Sequence, residues 1–149
     1  LRNEEGEFVP ARLAARIFPD PLALQKVESL VFPALIEDFK AFAEAHDEED
    51  IIVFESATIL EKPQFDGFGD VVVLVDAPYE VRLGRACARD GADPATVEAR
   101  MKNQKLMNML SEGSHHPRID AVIINDSDMD ELKNRTMETM TVLFGDWKR

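Results

Sequence analysis

A chain of 149 residues, 45% apolar and 31% charged, has the size and composition of one globular domain. Its formal net charge of −12, from 17 Lys and Arg against 29 Asp and Glu, argues against a general nucleic-acid or anionic-membrane binder, which would present a basic face. A single cysteine, Cys87, excludes an internal disulfide framework, and no apolar run of transmembrane length or signal peptide is recognised, so the expected location is the cytoplasm.

Taken in order, Leu1–Pro10 reads as a polar turn without an initiator Met, as expected of a fragment or trimmed chain. Residues 11–18 form a short helix, stopped by Pro19-Asp20-Pro21. A longer helix is expected from Pro21 to about Ala45, with Leu24, Val27, Leu30 and Val31 on one stripe and Pro33 kinking or dividing it. After the acidic connector His46–Asp50, Ile51–Phe54 reads as a buried strand. Residues 57–69 are a helix-poor connection. Val71–Val75 is the next strand, and its continuous β-branched run reads as covered on both faces. A helix follows Pro78 and ends at Asp90-Gly91. Asp93-Pro94 opens another, running to about Leu110, and residues 111–117 are a loop. Ala121–Ile124 is the last strand, and Asp126-Ser127-Asp128 caps a helix to about Phe144.

This order implies an α/β fold with a parallel sheet flanked by helices. About sixteen residues without a strong helix link the first two strands, which is short for a parallel crossover. At least one further strand is therefore expected upstream of Leu1.

Chemistry concentrates between residues 76 and 125. Arg82, Arg85 and Arg89 recur at spacings of three and four, so they share one helical face. Arg100 and Gln104 sit one turn apart on the next helix. Ligands of open α/β sheets gather outside the carboxyl ends of the strands, so cations on helices leaving those ends suggest an anionic ligand such as a phosphate. Against this stands a solvated helix face, with Arg89 balancing Asp90. Asn125, at the end of the last strand, suits either a ligand pocket or a local turn. Asp126-x-Asp128-x-Asp130 lacks the glycine and the final glutamate of a calcium loop, and capping is the better account. His115-His116 lacks metal-site spacing, and Cys87 has no nucleophile's companions.

The segments Val73-Leu-Val-Asp-Ala-Pro, Leu83-x-Arg85-x-x-x-Arg89-Asp90, Arg100-x-x-x-Gln104 and Asp120-x-Val122-Ile123-x-Asn125 together resemble dephospho-coenzyme A kinase. So do Arg16-Ile17-Phe18, Phe32-Pro33-Ala34 and Ile59-Leu60-Glu61, and the resemblance runs from about Phe8 to about Leu143. It implies a P-loop kinase fold, similar to nucleoside monophosphate kinases, with its N-terminal strand or strands missing here. One kinase domain would span 1–149, with a helical substrate-side region at 11–46 and lid-like helices at 79–118.

The implied reaction moves the γ-phosphate of ATP to the ribose 3′-hydroxyl of dephospho-CoA, the last step of coenzyme A biosynthesis. ATP, Mg²⁺ and dephospho-CoA are the implied small molecules, with neither nucleic acid nor membrane as partner. The resemblance assigns Arg85, Arg89, Arg100, Gln104, Arg118 and Asn125 to the nucleotide and Glu61 to the acceptor substrate. No G-x-x-x-x-G-K-[ST] occurs in the chain, and the family's catalytic aspartate would also lie before Leu1, so the polypeptide alone is expected to be inactive. The family's His-Pro is Phe32-Pro33 here, and Pro10 stands where it favours an arginine. The alternatives are another nucleotide kinase of similar fold and a non-catalytic binding module.

Overall fold

The computed structural model describes residues 1–102, 105–111 and 115–145. The chain divides into two compact units, Leu1–Glu55 and Ser56–Arg149.

In the first unit, an antiparallel bridge joins Arg2 to Phe8, and Gly6 turns the chain at φ 86°. Helix α1 spans Pro10–Ile17 and helix α2 spans Pro21–Glu44, and the two pack together. Asp20 starts α2: its Oδ1 accepts from the amides of Leu22 at 3.0 Å and Ala23 at 3.1 Å. Those amides have no partner within the helix, and a cap of this kind stabilises it by about 1 kcal/mol. Pro33 does not divide α2. It lies on an exposed side, where the carbonyl left open by its missing N–H can meet water. The expected stripe is only half realised, because Leu24 and Val27 are half-buried while Leu30 and Val31 are exposed.

Ile51–Phe54 does not form the strand read from its apolar run. No described residue pairs with it in a ladder, and Val53 is largely exposed. Phe54 instead sets its ring edge-on to Phe39 of α2, at 5.0 Å between centroids. An apolar run supplies the side chains of a strand; only a partner supplies the hydrogen bonds.

The second unit holds the sheet. Strand β1 (Val73–Asp76) pairs in parallel with strand β2 (Ala121–Ile124), Val73 opposite Ala121 and Asp76 opposite Ile124. Both ends are pinned. The Asp120 amide donates to the Val72 carbonyl at 2.9 Å while the Val72 amide donates to Asp120 Oδ2 at 2.8 Å. At the other end the Asn125 amide donates to the Asp76 carbonyl at 2.7 Å. The strands are less covered than their sequences suggest: Ile123 is buried, but Val75 and Val122 are about half exposed. Among the described residues the sheet has only these two strands, which is why both-face burial is not reached.

Between the strands run helices α3 (Tyr79–Asp90), α4 (Pro94–Met101) and α5 (Lys105–Ser111). The single helix expected from Asp93 to Leu110 is thus interrupted, with α4 capped by Lys102. Gly91 adopts φ 59°, a left-handed C-cap open to glycine at little cost. Asp93 caps α4 by accepting the Thr96 amide at 3.0 Å. Helix α6 (Met129–Phe144) packs on β2 and starts at Asp128, whose Oδ1 accepts the Glu131 amide at 2.9 Å. Among the described residues the buried apolar ones are Phe65, Ala77, Val97, Met101 and Ile123.

Phe65 is 1% exposed, whereas Phe18 is 70% exposed. Truncation of Phe65 to alanine is expected to cost about 3–5 kcal/mol through lost burial and a cavity. Phe18→Ala should stay within about 0.5 kcal/mol. Urea unfolding followed by circular dichroism checks both, and equal effects would contradict the burial pattern.

Candidate functional site

The carboxyl ends of β1 and β2 lie side by side, and the residues that follow each strand shape a hollow. Helix α3, leaving β1, brings Arg85 across to the turn after β2. There its Nη1 donates to the Asn125 carbonyl at 2.7 Å, and its Nη2 reaches the Ser127 carbonyl at 3.5 Å. Both partners are backbone carbonyls, and the Asp128 carboxylate lines the same hollow. Arg85, Asn125, Ser127, Asp128, Met129 and Leu132 line an open hollow of about 280 Å³. Among the described residues the Asn125 side-chain amide takes no hydrogen-bond partner, so no turn bond competes for it. The structure therefore joins two residues read separately from the sequence, forty positions apart.

Arg89 and Arg100 meet at a different point, the Asp90 carboxylate. Arg89 Nε lies 2.7 Å from Oδ1, and Arg100 Nη2 lies 2.8 Å from Oδ2. Hydrogen bonds from Arg89 and then from Arg100 hold the Asp90 carboxyl at a pKa of about 2, below the ordinary carboxylate range. The pairing of Arg89 with Asp90 was legible as neighbours in sequence; the arrival of Arg100 was not. Gln104 lies outside the described residues.

Arg118 is committed elsewhere. Its Nη1 donates to the Phe65 carbonyl at 2.9 Å and its Nη2 to the Phe68 carbonyl at 2.8 Å, with Asp66 3.9 Å away. A planar fork bridging two carbonyls holds the Pro63–Phe65 turn and the loop after it. Phe65 is buried there, edge-on to Phe68 at 5.7 Å. Glu61 is exposed, and its Oε1 accepts the Leu106 amide at 3.2 Å, tying the same connection to the first turn of α5. Arg82 donates through Nε to the Ala77 carbonyl at 2.9 Å and lies 3.8 Å from Asp76. Sequence reasoning passed over Arg135, which joins Asp126 at 2.7 Å, Glu131 at 2.9 Å and the Ile124 carbonyl at 2.7 Å, bracing the turn that carries Asn125. Its signal was the i, i+4 spacing from Glu131.

The sequence model of the dephospho-CoA kinase family matches residues 1–131. The chain belongs to the dephospho-CoA kinase family. It is 35% identical over 119 residues to a dephospho-CoA kinase of Porphyromonas gingivalis, covering 79% of this chain and 58% of that relative. Against the dephospho-CoA kinase of Idiomarina loihiensis it is 30% identical over 135 residues, covering 91% and 63%. The chain thus spans less than two thirds of the length of these relatives. A dephospho-CoA kinase from Campylobacter jejuni superimposes with a TM-score of 0.57 at 17% identity, over 96% of this chain and 69% of that one. At that identity the shared property is the fold, an α/β architecture of P-loop kinase type.

Asp90 carries a testable sign. Its folded pKa is lowered, so its contribution to stability is fully present above the ordinary carboxylate value of about 4 and is lost as pH falls through the folded value near 2. A carboxyl-carbon NMR titration should place its midpoint near 2. Arg89→Ala should raise that midpoint more than Arg100→Ala, following the order of the two contributions; an unchanged midpoint in both would refute the shared contact.

Proposed function

We propose that this chain is the lid and acceptor-side portion of a dephospho-CoA kinase, which transfers the γ-phosphoryl group of ATP to the ribose 3′-hydroxyl of dephospho-CoA. The observation carrying the proposal is the meeting of Arg85 with Asn125 over one hollow at the carboxyl ends of paired parallel strands. In this reading the hollow borders the nucleotide, with the Asn125 amide offering a donor and an acceptor and Arg85 facing negative charge. Arg89 and Arg100 bear on the phosphates as the lid closes, and Gln104 joins them on its spacing alone. Arginine suits that place because its fork takes phosphate oxygens in pairs and never deprotonates.

Arg118 keeps its assignment to the nucleotide on the resemblance alone, its guanidinium holding the Phe65 and Phe68 carbonyls. Glu61 retains an acceptor-side role, its second carboxylate oxygen taking no hydrogen bond among the described residues.

Phosphoryl transfer depends on positioning and charge neutralisation. A glycine-rich phosphate loop with its lysine is not among these 149 residues, so the polypeptide alone should not turn over. Mg²⁺, implied by the family, finds no ready set of protein ligands: among the described residues no three His, Cys, Asp or Glu side chains converge. What this chain contributes is cation, orientation and exclusion of water. No described helix is long and apolar enough to cross a membrane. The reading places the protein in the cytoplasm, with small molecules as its partners.

Fusing the phosphate-loop segment of the Porphyromonas gingivalis relative ahead of Leu1 tests this. The fusion is expected to form ADP with dephospho-CoA and not with adenosine monophosphate or shikimate, and the 149-residue chain to form none. Arg85→Ala should lower kcat/KM of the fusion about a hundredfold or more, the scale of losing one donor to developing charge. Turnover by the unfused chain would remove the claim of dependence. Turnover with a different acceptor would reassign the substrate, and a folded but inert fusion would favour a non-catalytic module.

A further inference from the structure

Helices α3 and α4 each carry an arginine in the last turn, and a single carboxylate joins the two. Arg89 grips Asp90 side-on, with Nε on Oδ1 at 2.7 Å and Nη2 on Oδ2 at 3.3 Å. Arg100 reaches Oδ2 with Nη2 at 2.8 Å. The Asp90 side chain is 23% exposed, Arg100 55% and Arg89 75%, so the anion sits inward and the cations outward. The neighbouring acid does not compete for them. Asp93 is occupied by Thr96, taking its amide at 3.0 Å and its hydroxyl at 2.6 Å.

We propose that Asp90 is a positioning residue that holds Arg89 and Arg100 together as one two-pronged cradle for a polyphosphate. This rests on the reading above in which those arginines face the nucleotide's phosphates. Two free guanidiniums repel each other, and each long side chain has many rotamers to lose on binding. A carboxylate between them removes the repulsion and settles those rotamers before the ligand arrives. Among the described residues Arg89 donates through Nε and Nη2 and Arg100 through one terminal nitrogen, so most of their N–H groups stay available to phosphate oxygens. An anion can therefore be taken without displacing Asp90. The turn supports the arrangement, because the left-handed Gly91 ends α3 immediately after Asp90 and Asp93 starts α4 two residues later.

The opposite role, an internal anion that phosphate must evict, predicts the opposite sign. Calorimetric titration of the 149-residue chain with tripolyphosphate separates them. Asp90→Ala is expected to weaken binding about tenfold, with Asp90→Asn between it and the parent because the amide oxygen still accepts one hydrogen bond. The R89A/R100A double variant should lose most of the binding, and adding Asp90→Ala to it should change nothing further. Unchanged or tighter binding in Asp90→Ala overturns the inference while leaving the phosphate reading intact. The same result follows from an equal loss when Asp90→Ala is added to the arginine-free background, which marks a purely structural effect; melting followed by circular dichroism shows whether the fold has suffered. A parent chain that takes no tripolyphosphate, or binds it equally well without both arginines, removes the phosphate reading and this inference with it.

Discussion

Parallel pairing of β1 with β2 is the constraint on which the second unit depends. Four residues on each side set the register, and the ladder is closed at both ends by groups just outside it. Asp120 makes two bonds to one residue, Val72, giving a carboxylate and an amide to its two backbone groups. At the far end the Asn125 amide joins the Asp76 carbonyl. Because the strands run the same way, their carboxyl ends coincide, and both following helices start from one place. That coincidence lets an arginine on α3 reach a carbonyl forty residues later.

The second recurring device is the arginine fork turned inward. Arg118 holds two carbonyls of a loop, Arg135 braces the turn after β2, and Arg85 spans from α3 to that turn. In a chain of net charge −12 these guanidiniums are embedded in the fold. Arg85 and the pair at Asp90 differ from Arg135 in what they face. Among the described residues Arg135 is matched by two carboxylates, Arg85 by two backbone carbonyls, and Arg89 and Arg100 share one acid between two cations.

Local chemistry was the readable part of the sequence. Asp93 and Asp128 cap the helices they precede, and Gly91 ends α3, because each acts on amides or carbonyls within a few residues. The two paired strands were legible from β-branched runs. What stayed hidden is non-local. Ile51–Phe54 has the composition of a strand but no ladder partner among the described residues, and composition cannot report a partner. Arg118 was read toward the nucleotide by resemblance; that it also holds two carbonyls about fifty positions earlier lies beyond any periodicity. Arg100 was placed on the right helix, yet its hold on Asp90 arises from the packing of α4 on α3.

The open sheet has a consequence for how copies of the chain treat one another. Each strand has one neighbour among the described residues, and Val75 and Val122 leave apolar surface beside it. Unpaired rows of amides and carbonyls act as templates on which further strands assemble. The surplus of acid opposes such assembly by long-range repulsion, which dissolved ions screen within about 8 Å at physiological ionic strength. Solubility of the isolated polypeptide is therefore set by a contest between edge and charge, and added electrolyte shifts it toward the edge.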